Sequence, residues 1–170
     1  MSGFTLIEVM VIVVIIGIIT TIGIPTFIKM TEAAKQASTK GYIATLRSAT
    51  NIYYSENMYY PYQYSDLPNT TDNNVKYDTI KTKEQKSNNA WVPKYMSDWI
   101  PAIRIGRKDW VSNTTGKIHE GANDMRIIDS VLSQNANNNL DEEIIYNCQT
   151  GVININCEFL DKEGKYIYEW

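Results

Sequence analysis

Residues 4–28 read FTLIEVMVIVVIIGIITTIGIPTFI, an apolar run whose one ionisable side chain is Glu8. As a helix rising about 1.5 Å per residue, the run is about 38 Å long, enough to cross a hydrocarbon core of about 30 Å. It is therefore a membrane segment first. Glu8 sets it apart from a plain anchor, because a carboxylate at membrane depth costs about 2.5–3.5 kcal/mol unless it is paired, protonated or near an interface. Gly17, Gly23 and Pro25 interrupt the helical pattern, and Pro25 removes one backbone donor and clashes with the preceding turn. These three residues mark a candidate hinge or a kink. No basic cluster precedes the run to fix its orientation.

Gly3, the new start at Phe4, Glu8 as the fifth residue from Phe4, and Pro25 near the end of the run together resemble the N-terminal segment of type IV pilins and type II secretion pseudopilins. The resemblance covers about thirty residues, and it implies a fold, a fate and a set of partners. A prepilin peptidase would cut between Gly3 and Phe4 and methylate the new amine of Phe4. The chain would wait in the bacterial inner membrane, then polymerise with itself through the pilus assembly machinery into an extracellular filament. In the family, the segment around Gly17, Gly23 and Pro25 is often unwound within the filament. Leaders of this family carry Lys or Arg before the Gly; here Met1, Ser2 and Gly3 do not, which points to a misplaced start, an edited end or an unusual leader.

The chemistry of the junction follows from the residues. An α-amino group with a pKa of about 7.7–8.0 is mostly charged near neutrality, and methylation keeps that charge. In an apolar filament core the cation needs a partner. Glu8 lies four residues from Phe4 on the same helical face, placed to hold its own terminus or that of a neighbour. The resemblance favours the neighbour.

The other 140 or so residues suffice for one modest domain. The net charge of −3 leaves no basic footprint for nucleic acid. A secretory signal peptide is not indicated, since no basic n-region and no small-residue cleavage site flank the apolar run.

After Pro25 the pattern becomes amphipathic, with Phe27, Met30, Ala34, Ala37, Gly41 and Ala44, and Tyr42, Leu46, Ala49 and Tyr53, recurring at three or four. One helix is expected to run to Asn57, with residues 29–57 as its amphipathic half and residues 58–170 as a globular head. The stretch ending in Tyr59-Tyr60-Pro61 resembles the helix end of major pseudopilins and many pilins. Residues 62–90 read as a surface loop with a short strand at 75–80, and residues 91–103, WVPKYMSDWIPAI, resemble the family's connection from helix to sheet.

Asn123 as an N-cap and the face of Met125, Ile128, Val131 and Leu132 predict a short helix over 123–132. Residues 144–148 and 152–159 predict a hairpin about the turn Gln149-Thr150-Gly151, with Ile153, Ile155, Cys157 and Phe159 inward; residues 165–170 add another strand. The expected fold is α+β and pilin-like: a long N-terminal helix packed on a small antiparallel sheet.

Nothing in the sequence supports catalysis. The single His119 has no second His or Cys at ligand spacing and reads as a solvated loop histidine. No phosphate loop or nucleophile elbow is present. Major pseudopilins bind calcium in a C-terminal loop, and Asn135, Asn137, Asn139 and Asp141 alternate like oxygen ligands, but an EF-hand's glycine and terminal Glu are missing, so a polar turn is the reading and no cofactor is expected. The tyrosines 53, 54, 59, 60, 62 and 64 invite electron-transfer or sugar-binding readings, yet packing of a helix end on a sheet explains them more simply. The sequons at Asn69 and Asn113 are common by chance in Asn-rich chains. Many pilins close a C-terminal disulfide loop, so Cys148 and Cys157 are expected to be bridged. The predicted hairpin conflicts with that bridge, because it leaves Cys157 about 17 Å along the strand from Cys148's partner, against the 4.4–6.8 Å between Cα atoms that a disulfide wants.

Two other functions compete with a major pilin: a pseudopilin of a secretion or competence system, and a single-pass anchored surface binding protein.

Overall fold

The structure, a computed structural model, describes residues 5–63, 78–80, 86–107, 109–112, 115–128, 142–161 and 163–170. One helix dominates it. Helix α1 spans Leu6–Asn57, 52 residues, about 78 Å at the standard rise. It ends where Met58 turns left-handed at φ 63°, its N–H closing on the Tyr54 carbonyl at 2.8 Å, and Pro61 follows.

The two halves of α1 meet different surroundings. From Leu6 to Met30 every large apolar side chain is exposed, whereas Thr39, Ile43, Leu46, Ala49 and Thr50 are buried on the head. These five recur at three and four, which sets one face of the helix on the head. The aromatic connection fills the space beneath: Trp91 is wholly buried, donates its indole N–H to Thr50 Oγ1 at 2.8 Å, and meets the Tyr146 ring edge-on with centroids 5.0 Å apart. Val92, Met96, Trp99, Ile100 and Ile103 are buried with it, so residues 91–103 form part of the core itself.

Among the described residues, four short strands complete the head, in the order β1-β2-β3-β4: β1 Asp78–Ile80, β2 Met125–Ile128, β3 Ile144–Asn147 and β4 Ile153–Ile155. The hairpin β3–β4 is antiparallel, with Ile144 opposite Ile155 and Tyr146 opposite Ile153. The α+β arrangement of long helix and small sheet is the one the sequence predicts. The sheet is mixed, however, because β2 and β3 run parallel, Met125 opposite Ile144. Residues 129–143 give the chain the dozen or so residues that a parallel return needs.

Three local expectations are corrected. The predicted helix over 123–132 is a strand over Met125–Ile128; in so short an apolar run, positions 125 and 128 fit either period, and pairing with β1 and β3 decides. Asn123 caps no helix there: its Nδ2 donates to the Ile100 carbonyl and its Oδ1 accepts from Lys86. Residues 165–170 form no strand but an isolated bridge, Leu160 to Tyr166, followed by a 3-10 turn at Ile167–Glu169 that buries Ile167.

The expected disulfide is absent, and the thiols of Cys148 and Cys157 are unbridged and buried. The β3–β4 register explains this. Cys148 lies at the turn and Cys157 beyond the far end of β4, about six residues, or about 20 Å, along the strand direction. Burial pushes the Cys157 thiol up to about 12. The candidate calcium positions 135–141, the sequon at Asn69 and the sequon asparagine Asn113 lie outside the described residues.

Candidate assembly site

The assembly candidates of the sequence are Gly3, Phe4, Glu8, Gly17, Gly23 and Pro25; Gly3 and Phe4 lie outside the described residues. Glu8 sits in the first turn of α1 and closes a reciprocal cap with Thr5. Its Oε2 accepts from the Thr5 backbone N–H and hydroxyl, each at 2.7 Å, and its own N–H donates to Thr5 Oγ1 at 3.4 Å. The two residues thereby satisfy donors that the first helical turn leaves orphaned. Thr5 is the site residue that the sequence reading passed over, although Thr-x-x-Glu ahead of an apolar run is the usual signature of such a cap.

A single carboxylate exposed at the end of an otherwise apolar column is already hydrogen-bonded and oriented. Its Oε2 is occupied by Thr5, and the ionised group has lone pairs to spare for another cation. Ile7, Val11 and Ile12 surround it with apolar surface, where a charge pair would be poorly screened.

Helix α1 runs unbroken through Gly17, Gly23 and Pro25. An added Cβ at Gly17 or Gly23 would meet nothing within 4 Å, so the subunit's own packing requires neither glycine. The threonines of this stretch bond back to the helix: Thr20 Oγ1 to the Ile16 carbonyl at 2.8 Å, Thr21 Oγ1 to the Gly17 carbonyl at 2.7 Å, and Thr26 Oγ1 to the Ile22 carbonyl at 3.0 Å. Such bonds offer the carbonyls an alternative to the ladder, in a segment where Pro25 donates nothing.

His119 belongs to the head, and its solvated-loop reading is corrected: the residue is fully buried. Its Nδ1 lies 3.1 Å from Glu143 Oε1 and its ring 5.2 Å from that of Trp110. Glu143, also buried, accepts from the Asp124 N–H at 2.8 Å and pairs with Lys117 Nζ at 3.0 Å; Lys117 and Lys86 both pair with Asp124. Burial works to raise the Asp124 carboxyl, but the bonds from the two lysines outweigh it and hold it below its usual range. The cluster ties Lys117 and His119, on either side of the Val111–Ile118 bridge partner Ile118, to Asp124 and Glu143 at the starts of β2 and β3. Among the described residues, no group of three or more His, Cys, Asp or Glu side chains is arranged to hold a metal ion.

The described tyrosines of the cluster make ring contacts, and Tyr64 lies outside the described residues. Tyr53 contacts Tyr59 and Tyr95 with centroids 5.8 and 5.1 Å apart, and Tyr54 stacks on Tyr60 at 4.5 Å.

No family model and no solved structure matches the chain. Curated relatives do. The chain is 43% identical over 67 residues to a type IV major pilin protein of Myxococcus xanthus, a match covering 39% of this chain and 29% of the relative. It is 42% identical over 60 residues to type II secretion system core protein G of Pseudomonas aeruginosa, covering 35% and 42%. Against the major component of a type IV narrow pilus of Thermus thermophilus it is 47% identical over 51 residues, covering 30% and 44%. The chain thus spans less than half the length of each of these relatives. The matched lengths are of the order of α1, whose first turn carries the Glu8 cap and whose first half has no cover within the subunit. Over 30–39% of its length, then, the chain is similar to type IV major pilins and to a type II secretion core protein G.

Proposed function

We propose that this chain is a structural subunit, a major pilin, of a type IV pilus. It is held in the inner membrane by the first half of α1 and then polymerised through that same half into a surface filament. The supporting observation is the bare apolar column from Leu6 to Met30 joined to a folded head: none of its large side chains is covered by the subunit, so lipid must cover it first and sister helices afterwards. In this reading a prepilin peptidase cuts between Gly3 and Phe4, Phe4 is N-methylated, and Glu8 neutralises the terminal cation of a neighbouring copy. The chain's work is mechanical, not enzymatic.

Shearing the cells that make the chain and imaging the released material tests this. Long filaments composed of the chain are expected, and their absence from a sheared fraction would remove the reading. The matches to core protein G support a second reading, a major pseudopilin of a type II secretion or competence system. A purified head that holds calcium tightly, with no surface filament, would decide for that alternative. An anchored binding protein, the third reading, would form no fibre.

A further inference from the structure

Two grooves flank α1 where it lies on the head. One is lined by Ala34, Lys35, Ser38 and Tyr42 of the helix and by Pro101 and Arg104. The other is lined by Ala33, Gln36, Ala37 and Lys40 with Asp161 and Glu163. At 3.6 residues per turn the two sets of helix positions point about half a turn apart, so the grooves open on opposite flanks.

Their charges are opposite. The first groove carries Lys35 and Arg104. Arg104 is exposed and its guanidinium makes no ion pair among the described residues; Lys35 lies 3.9 Å from Glu120 Oε1, a loose contact. The second carries Asp161, Glu163 and Lys40. Lys40 is used within the subunit, bonded to Asp161 Oδ2 at 3.2 Å and seated over the Trp170 ring at 4.4 Å. Glu163 is left exposed with no ion pair among the described residues, and Lys165 and Glu169 are exposed on the same C-terminal segment. The basic groove therefore presents two cations, and the residues lining the acidic one net a single negative charge, carried by Glu163.

Opposite charge on opposite flanks of one rod is the pattern of a heterologous contact, in which one surface of a copy meets a different surface of the next; repeated without closure, such a contact builds a helical fibre. We propose that the Arg104–Lys35 groove receives the Glu163 rim of a second copy of this chain, forming a side-to-side contact between heads that sets the register of neighbouring subunits. The proposal rests on the filament reading above. The helices of the core supply cohesion, which is apolar and poorly directional, and the paired rims supply the repulsion against wrong registers that cohesion lacks.

Charge reversal and swap test it in cells making the full chain, with sheared filament yield and membrane-held subunit both quantified. Arg104→Glu and Glu163→Lys are each expected to lower filament yield at least about tenfold, since like charges face each other across the contact, while the subunit stays in the membrane at normal level with unchanged thermal unfolding. The double variant, which restores opposite charges with the sides exchanged, is expected to recover most of the yield. Full yield from either single variant, or a double variant no better than the singles, would overturn the pairing. If the unaltered chain formed no filament at all, the failure would lie with the filament reading instead.

Discussion

Glu8→Ala is expected to leave the chain in the membrane but to reduce filament yield strongly, because the buried terminal amine of a neighbour then has no counter-charge. Thr5→Val is the companion test. It removes the hydroxyl that donates to Glu8 but keeps the backbone N–H, so filaments should form in reduced amount; an effect as large as that of Glu8→Ala would mean that the cap, and not the charge, is what assembly requires. In the head, Glu143 accepts from Lys117 and the Asp124 N–H and hydrogen-bonds His119 Nδ1 in a fully buried place. Glu143→Ala should therefore cost about 3–5 kcal/mol, a melting temperature lower by about 10 °C or more. A shift of only a degree or two in thermal unfolding of the detergent-solubilised chain would show that the network is not needed for stability. Gly151 adopts φ +72°, and an added Cβ would come within 2.3 Å of the Tyr60 ring, so Gly151→Ala should be destabilising through both backbone and contact.

Asp161 sets an acid limit on the element that closes the head. Burial acts to raise its carboxyl, but N–H donors of Lys165 and Glu163, the Trp170 indole and Lys40 prevail and hold it at about 2. Because the folded value lies below the unfolded one of about 3.9, the stabilisation is complete above about pH 4 and is lost as pH falls through about 2. Asp161→Asn should flatten that part of the unfolding profile, and an identical acid limb in both proteins would refute the assignment. For α1, we propose that the stretch from Gly17 to Pro25 unwinds in the assembled state. In lipid an unpaired amide costs several kcal/mol, which favours the continuous helix seen in the single subunit. Among sister subunits those amides are shielded, and extension from about 1.5 to about 3.3 Å per residue lets a fibre stretch. A filament map with unbroken helix past Pro25 would refute this, and Pro25→Ala would then scarcely change extensibility.

At the scale of the whole molecule, the subunit is an 80 Å rod in rough figures, bare over one half and clothed by a head over the other. The intact mass of the filament subunit reads two proposals at once. Cleavage after Gly3 and one added methyl group are the expected result, and a mass that retains the first three residues would remove the processing step. The polarity of the head's flanks then bears on how rods are laid side by side. Raised salt should weaken lateral order before it dissolves the fibre, because exposed charge pairs are screened while apolar contacts are not.

The sequence by itself determined the elements whose information is local and repeated. A 25-residue apolar run holding one Glu, then a 3.6-residue stripe to Asn57, define α1, and the alternation after Gly151 places Ile153 and Ile155 inward. Thr5 and Glu8 were legible in the same way, as a capping pattern three residues apart. Tertiary structure decided what depends on distant partners. Whether the run at Met125 is helix or strand turns on β1 and β3 lying beside it, and the parallel β2–β3 pair cannot be read from either strand. The thiols of Cys148 and Cys157 stay apart because the hairpin register carries them to opposite ends. His119 is buried because Glu143, 24 residues away, offers a carboxylate, and Arg47 bonds the Ile153 carbonyl from 106 residues away. A polar side chain's fate depends on whether the fold brings it a partner, and sequence neighbours do not announce that partner.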